Sequence, residues 1–113
     1  MAQGNNVRTT EYRFEWDEKK NRQNINKHGF DFVDAEKMFR GVLFVDVDTR
    51  EDYGEVRWIG IGMIRDRTAV VVFTERTSDT IRIISLRKAS RRESEQYEKA
   101  IQDRLEAGRR HPG

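Results

Sequence analysis

The residues best equipped for chemistry lie in the second half of the chain, where Ile81-Arg82-Ile83-Ile84-Ser85-Leu86-Arg87-Lys88-Ala89 threads cations through a β-branched apolar run. Between Arg76 and Arg92 stand six basic residues, Arg76, Arg82, Arg87, Lys88, Arg91 and Arg92, against the single acid Asp79. The alternation from Ile81 to Leu86 predicts a strand buried on at least one face, and a cation on such a strand is costly to bury without an anion. Guanidinium groups held on a rigid sheet suit phosphate, because their fork geometry is set before the ligand arrives. The competing account is ordinary surface pairing of these arginines with Glu75, Glu93 and Glu95. Residue types alone leave both open.

An acid or base to work beside such cations must come from elsewhere. His28 is the only histidine outside the C-terminal tail, and an imidazole with an unperturbed pKa of about 6.5 suits either role. Its place at the end of a predicted helix is equally a structural one, where imidazolium satisfies loose carbonyls and the helix dipole. Glu55 is a candidate base, or a pairing partner for a neighbouring strand. Lys27 and Tyr97 are further candidates, although Tyr97 sits in a helical apolar stripe. Trp58 either stacks on a nucleobase or fills the core. Asp46 and Asp48 lack a third ligand at suitable spacing, so a loop is the better reading there and no metal-binding residue is assigned.

The elements that must position these residues follow from periodicity. Tyr12 to Trp16 alternates aromatic and charged residues, the pattern of a short strand. Asp17 is placed to cap a helix that ends at His28-Gly29, and this helix is polar apart from Ile25, which puts it on the surface. Asp31 caps a second helix, Phe32 to Arg40, with Phe32, Ala35, Met38 and Phe39 on one face. Val42 to Val45 reads as a strand running into Asp46-Val47-Asp48, and Thr49 to Gly54 as a polar loop. Glu55–Arg65, Thr68–Arg76 and the Ile81 strand form a meander with turns at Asp66-Arg67 and Thr77–Thr80. Short turns would set Arg57 opposite Arg76 and Glu75 opposite Arg82. One face would then carry Arg57, Thr74, Arg76, Ser85 and Arg87, and the other Trp58, Phe73, Ile84 and Leu86. Gly60 and Gly62 leave one face of their strand bare, either for a close-packed helix or for a bend. Ser90 with Glu93 is a capping box, and Tyr97, Ile101 and Leu105 repeat every fourth residue of a last helix.

The 113 residues allow one domain with a real core. The expected organisation is a flexible lead-in over 1–11, a single domain over 12–107 and a flexible tail over 108–113, with Gly108 ending the last helix. Charged residues make up 37% of the chain and hydrophobic ones 35%, and 22 basic against 20 acidic residues leave a formal charge of +2. Bulk charge therefore does not announce a nucleic-acid binder, and only the local clustering points that way. With no cysteine, disulfides, thiol catalysis and zinc–thiolate sites are excluded. No apolar run approaches the roughly 18 residues of a membrane span and no signal pattern opens the chain, so a soluble cytoplasmic domain without membrane contact is expected. The fold expected is α+β: an antiparallel sheet of about four strands, packed on one face by two N-terminal helices and a C-terminal helix.

Several segments, taken in order, resemble the BrnT toxins of bacterial type II toxin–antitoxin pairs. They are Phe14-Glu15-Trp16-Asp17, Asn24-Ile25-Asn26-Lys27-His28-Gly29-Phe30, Phe32 with Ala35, Phe39, Glu55-Val56-Arg57, Thr74-Glu75-Arg76 and Arg82 to Ala89. The resemblance covers about Phe14 to Tyr97 and departs at Leu86, where the family often has a small residue. It implies a RelE-like fold and an endoribonuclease toxin that halts translation. It also implies neutralisation by a BrnA-like, DNA-binding antitoxin, operon DNA being reached only through the complex of the two. RNA can be cut without metal or other cofactor by its own 2′-hydroxyl, which leaves a 2′,3′-cyclic phosphate; this needs a base, cations around the phosphorane and an acid. The catalytic candidates are then Arg57, Arg76, Arg82, Arg87, His28 and Glu55, with Lys27, Lys88, Arg91 and Trp58 as RNA contacts. The alternative function is a non-catalytic module whose basic face binds an acidic protein partner or nucleic acid.

Overall fold

The computed structural model describes residues 12–109, so the expected lead-in and the end of the tail lie outside the described residues. The chain runs β1 (Arg13–Glu15), α1 (Glu18–His28), a 3-10 turn at Phe32–Asp34, α2 (Ala35–Arg40), β2 (Phe44–Val47), β3 (Trp58–Ile64), β4 (Arg67–Thr77), β5 (Thr80–Lys88) and α3 (Arg91–Arg109). The strands form one five-stranded sheet in the order β1-β5-β4-β3-β2. The expected α+β class holds, but the sheet is mixed and larger than the four antiparallel strands anticipated. The reason is β1, which pairs parallel with β5 through Arg13–Thr80, Phe14–Ile81 and Glu15–Arg82.

Three short-range expectations shift by a residue or more. Trp58 pairs with Phe73, two places from the register that set Arg57 opposite Arg76, which leaves the side chains of β3 and β4 on their expected faces. Thr74 pairs with Arg82 and Glu75 with Ile81, because the β4–β5 ladder is interrupted between Val72 and Phe73. This bulge moves Ile84 out of the core and puts Ile83 in, while Arg82 joins Thr74, Ser85 and Arg87 on the opposite face. The β3–β4 turn falls at Arg65-Asp66, where Arg65 takes a left-handed φ of 57°.

The core lies between the sheet and the α2 region. Phe32, Ala35 and Met38 are fully buried against Val71, Phe73, Ile81, Ile83 and Leu86. The bare strand face serves close packing: a Cβ at Gly60 would stand 3.0 Å from Leu43 Cδ1, and one at Gly62 would stand 3.1 Å from it and 3.5 Å from Met38 Cε. In α3 the capping box forms as expected, Ser90 N–H donating to Glu93 and Glu93 N–H to Ser90 Oγ. Tyr97 packs edge-on against Phe44 and donates its hydroxyl to the Val42 carbonyl at 3.0 Å. Phe44 pairs in line with Ile61, Val70 and Arg87, so α3 lies on the face opposite α2. The helices do not share the single face expected, because successive side chains of a strand alternate between faces. The helix does not stop at Gly108 but runs to Arg109, and Leu105, the third residue of its stripe, is exposed.

Helix α1 is polar and yet docked. Its apolar residue Ile25 is exposed, and Asn21 and Asn24 are the buried ones. Pairing with β1 ends at Arg82, which leaves the next part of the β5 edge open. Asn24 fills it. Its amide donates to the Leu86 carbonyl at 2.7 Å and to the Phe30 carbonyl at 3.0 Å, and accepts the Leu86 N–H at 3.2 Å. Asn21 accepts from Phe32 N–H and donates to Asp31. These bonds press α1 against the sheet edge and aim its first turn at the cations of β4 and β5.

Candidate active site

Three guanidinium groups, from Arg57 just before β3, Arg76 on β4 and Arg82 on β5, surround one pocket of about 220 Å3. The β-branched runs around them make rigid strands, so each side chain springs from backbone that the sheet holds in place. Helix α1 adds Asp17 and Lys20 to the lining, and Glu55 closes one side. Glu15 of β1 reaches in between two of the cations: its Oε2 accepts from Arg82 Nη1 at 3.1 Å and from Arg76 Nε at 3.3 Å. Glu55 Oε2 accepts from Arg57 Nε at 3.3 Å. Asp17 caps α1 through the N–H groups of Lys20 and Lys19, which hold its carboxyl below the usual range.

The electrostatics favour an anion. Lys20, Arg57, Arg76 and Arg82 stand against the carboxylates of Glu15, Asp17 and Glu55, an excess of one positive charge, enough to balance the single negative charge of a phosphodiester. Among the described residues each arginine gives a carboxylate one of its donors, so most of every fork stays open to a ligand. Parallel guanidinium bonds are suited to two phosphate oxygens at once. The one oxygen by which Glu15 holds both Arg76 and Arg82 occupies a place that a phosphate oxygen can take.

The residues proposed from sequence divide into two places. Arg57, Arg76, Arg82 and Glu55 meet at the pocket. Arg87 does not: it lies five residues beyond Arg82, about 16 Å along the strand, and its fork is closed on Glu93 by bonds of 2.8 and 2.9 Å. Glu93 is held down to about 2 by Arg87 and by its Ser90 cap. His28 belongs with Arg87, about 12 Å along α1 from Lys20. Burial lowers its pKa, helped by Lys27 and Arg87. Lys27, Lys88 and Arg91 are exposed and absent from the pocket lining, and Arg91 pairs with Glu95. Trp58 is half-buried; it packs on the core and also walls an adjoining cavity of about 490 Å3 that shares Glu55 and Arg76 with the pocket.

Glu15, Asp17 and Lys20 escaped the reading of the sequence as site residues. Alternation from Tyr12 to Trp16 does place Glu15 opposite Phe14, but no local pattern shows that β1 lands beside β5. Asp48 is no free ligand either. It is buried, and its carboxylate takes Arg50 at 2.8 and 2.7 Å. Among the described residues no three His, Cys, Asp or Glu side chains gather as a metal site requires, and no helix is long and apolar enough to cross a membrane.

Fold and pocket define a small α+β domain with a cationic pocket whose net charge suits an anion. Residues 16–93 match the family described as the ribonuclease toxin BrnT of type II toxin–antitoxin systems. The chain belongs to this BrnT family of ribonuclease toxins. The crystal structure of the Brucella abortus ribonuclease toxin BrnT is similar, with a TM-score of 0.56 and 30% sequence identity. That likeness covers 71% of this chain and 99% of the Brucella one. No curated protein matches the chain in sequence.

Proposed function

We propose that the protein is a RelE-like, metal-independent endoribonuclease whose active site is the Arg57–Arg76–Arg82 pocket. The observation that carries this reading is the convergence of three guanidinium groups from three chain segments on one pocket with an excess of one positive charge. In the reaction, Glu55 takes the proton of the 2′-hydroxyl, whose oxygen attacks the adjacent phosphorus. The P–O5′ bond breaks, leaving a 2′,3′-cyclic phosphate and a 5′-hydroxyl. Arg57, Arg76 and Arg82 hold the phosphorane oxygens, and their charge counts most in the transition state, where those oxygens carry an extra negative charge. Lys20, at the pocket wall, gives the departing 5′-oxygen its proton. Glu15 keeps Arg76 and Arg82 in place until the phosphate arrives. Trp58 offers a flat face to a base next to the cut.

The toxin acts in the cytoplasm, where RNA cleavage halts translation, and a BrnA-like DNA-binding antitoxin neutralises it. Operon DNA is reached through the complex of the two. Inducible expression in bacteria, with and without a BrnA-like protein, tests this when growth and RNA ends are read together. Arrest with cyclic-phosphate ends, reversed by the partner and abolished by Arg76→Ala in a folded protein that still binds the partner, supports the enzyme. Intact RNA from the folded parent protein overturns it and favours a basic binding module.

A further inference from the structure

We propose that Asp48 and Tyr53 form a strut that holds the Arg57 guanidinium at the phosphate pocket, which makes Tyr53 a positioning residue for RNA cleavage. This rests on the site reading above.

The strut lies in the 48–57 loop between β2 and β3. The loop is closed at its base by backbone alone, Asp48 N–H donating to the Arg57 carbonyl at 2.8 Å. One residue from that base, Thr74 Oγ1 of β4 donates to the Val56 carbonyl at 2.8 Å. Within the loop the Asp48 side chain is 1% exposed and organises four donors. These are Arg50 Nε at 2.8 Å, Arg50 Nη2 at 2.7 Å, Arg50 N–H at 3.2 Å and the Tyr53 hydroxyl at 3.2 Å. Bonds from Arg50 hold the Asp48 carboxyl far below the usual range, so the strut keeps its charge at any working pH.

The ring that Asp48 holds by its hydroxyl lies flat against Arg57, whose Cζ stands 4.1 Å from the ring centroid. Glu55 takes Arg57 Nε from one edge. The guanidinium is thus fixed by a face and an edge, and among the described residues neither Nη group has another partner, which leaves both for the pocket. Closure of the loop does not require this contact, since the Asp48–Arg57 backbone bond joins its two ends and the Thr74 bond to Val56 anchors it to β4. What the ring adds is a single position for a side chain with several free torsions. An arginine ordered before substrate binds loses less entropy in the transition state.

A double-mutant cycle on the full-length protein tests the strut, with a labelled single-stranded RNA oligomer of mixed sequence as substrate. Tyr53→Leu lowers the rate at saturating RNA about two- to fivefold, the value of a cation–π contact at a partly exposed site, with little change in KM. Tyr53→Phe keeps the ring and recovers the rate to within about twofold of the parent. In an Arg57→Ala background Tyr53→Leu has no further effect, because the ring has nothing left to hold. Tyr53→Gln serves as a second ring-free variant should Tyr53→Leu fold poorly, and the Arg57 Nε–Hε signal in NMR moves most when the ring is lost and less, but measurably, when only the hydroxyl that ties it to Asp48 is. Parent-like cleavage by both ring-free variants, or a loss that persists undiminished in the Arg57→Ala background, overturns the strut while Arg57→Ala is itself slow. If Arg57→Ala cleaves normally, the site reading falls and the strut falls with it.

Discussion

Replacing Asn24 with alanine removes three hydrogen bonds from a residue only 7% exposed. The two to Leu86 replace strand pairing on the part of the β5 edge that β1 does not reach. A buried amide bond contributes about 0.5–1.5 kcal/mol net, so three amount to about 3 kcal/mol, and the stranded Leu86 N–H adds to the loss. Against a typical total of about 5–15 kcal/mol this is a large fraction. Urea unfolding of Asn24→Ala should show the midpoint falling by about 2 M at an m-value near 1.5 kcal/mol/M, with m unchanged. Asn26→Ala is the control. It makes the same change of helix propensity at an exposed position of α1 and should stay within about 0.5 kcal/mol of the parent. The difference between the two variants isolates the docking bonds. A difference below about 1 kcal/mol would refute the reasoning, because it would mean that water can take over the β5 edge at little cost.

Other expectations follow from the same geometry. Arg82→Ala, tested by single-turnover cleavage, should cut the rate about 10²- to 10³-fold, the usual loss when a transition-state donor is removed; melting should show a folded protein. His28→Ala should change cleavage less than about twofold and leave the pH–rate profile in place, since the imidazole sits with Arg87 rather than at the pocket. In the folded protein Glu93 ionises at about 2 instead of its ordinary 4.5. Its pairing therefore contributes fully above pH 4.5 and is lost as pH falls toward 2. Glu93→Gln, followed by thermal melting across that window, should lower stability at pH 7 and flatten the acid side of the profile.

Local chemistry and periodicity were enough for much of this protein. The caps at Asp17 and at Ser90 with Glu93, the apolar face of Phe32, Ala35 and Met38, and the β3–β4–β5 meander all depend on residues close in sequence, so they were legible there. So was the cationic character of β4 and β5, and Arg57, Arg76, Arg82 and Glu55 do meet. Long-range pairing was not legible. The parallel seat of β1 beside β5 brings Glu15 to Arg82 across 67 positions, and no spacing within either strand records it. The bulge after Val72 decided which isoleucine enters the core, because a one-residue slip exchanges the two faces of a strand. Helix α1 read as a surface helix because burial is inferred from apolar residues, whereas it docks through asparagine amides that satisfy a sheet edge. Residue types alone therefore determined that this chain would carry cations on a rigid sheet, and left open whether they face phosphate or pair with neighbouring carboxylates. Which of them share a pocket, and which are spent on Glu93, was decided by the tertiary structure, since strand length sets Arg82 and Arg87 about 16 Å apart.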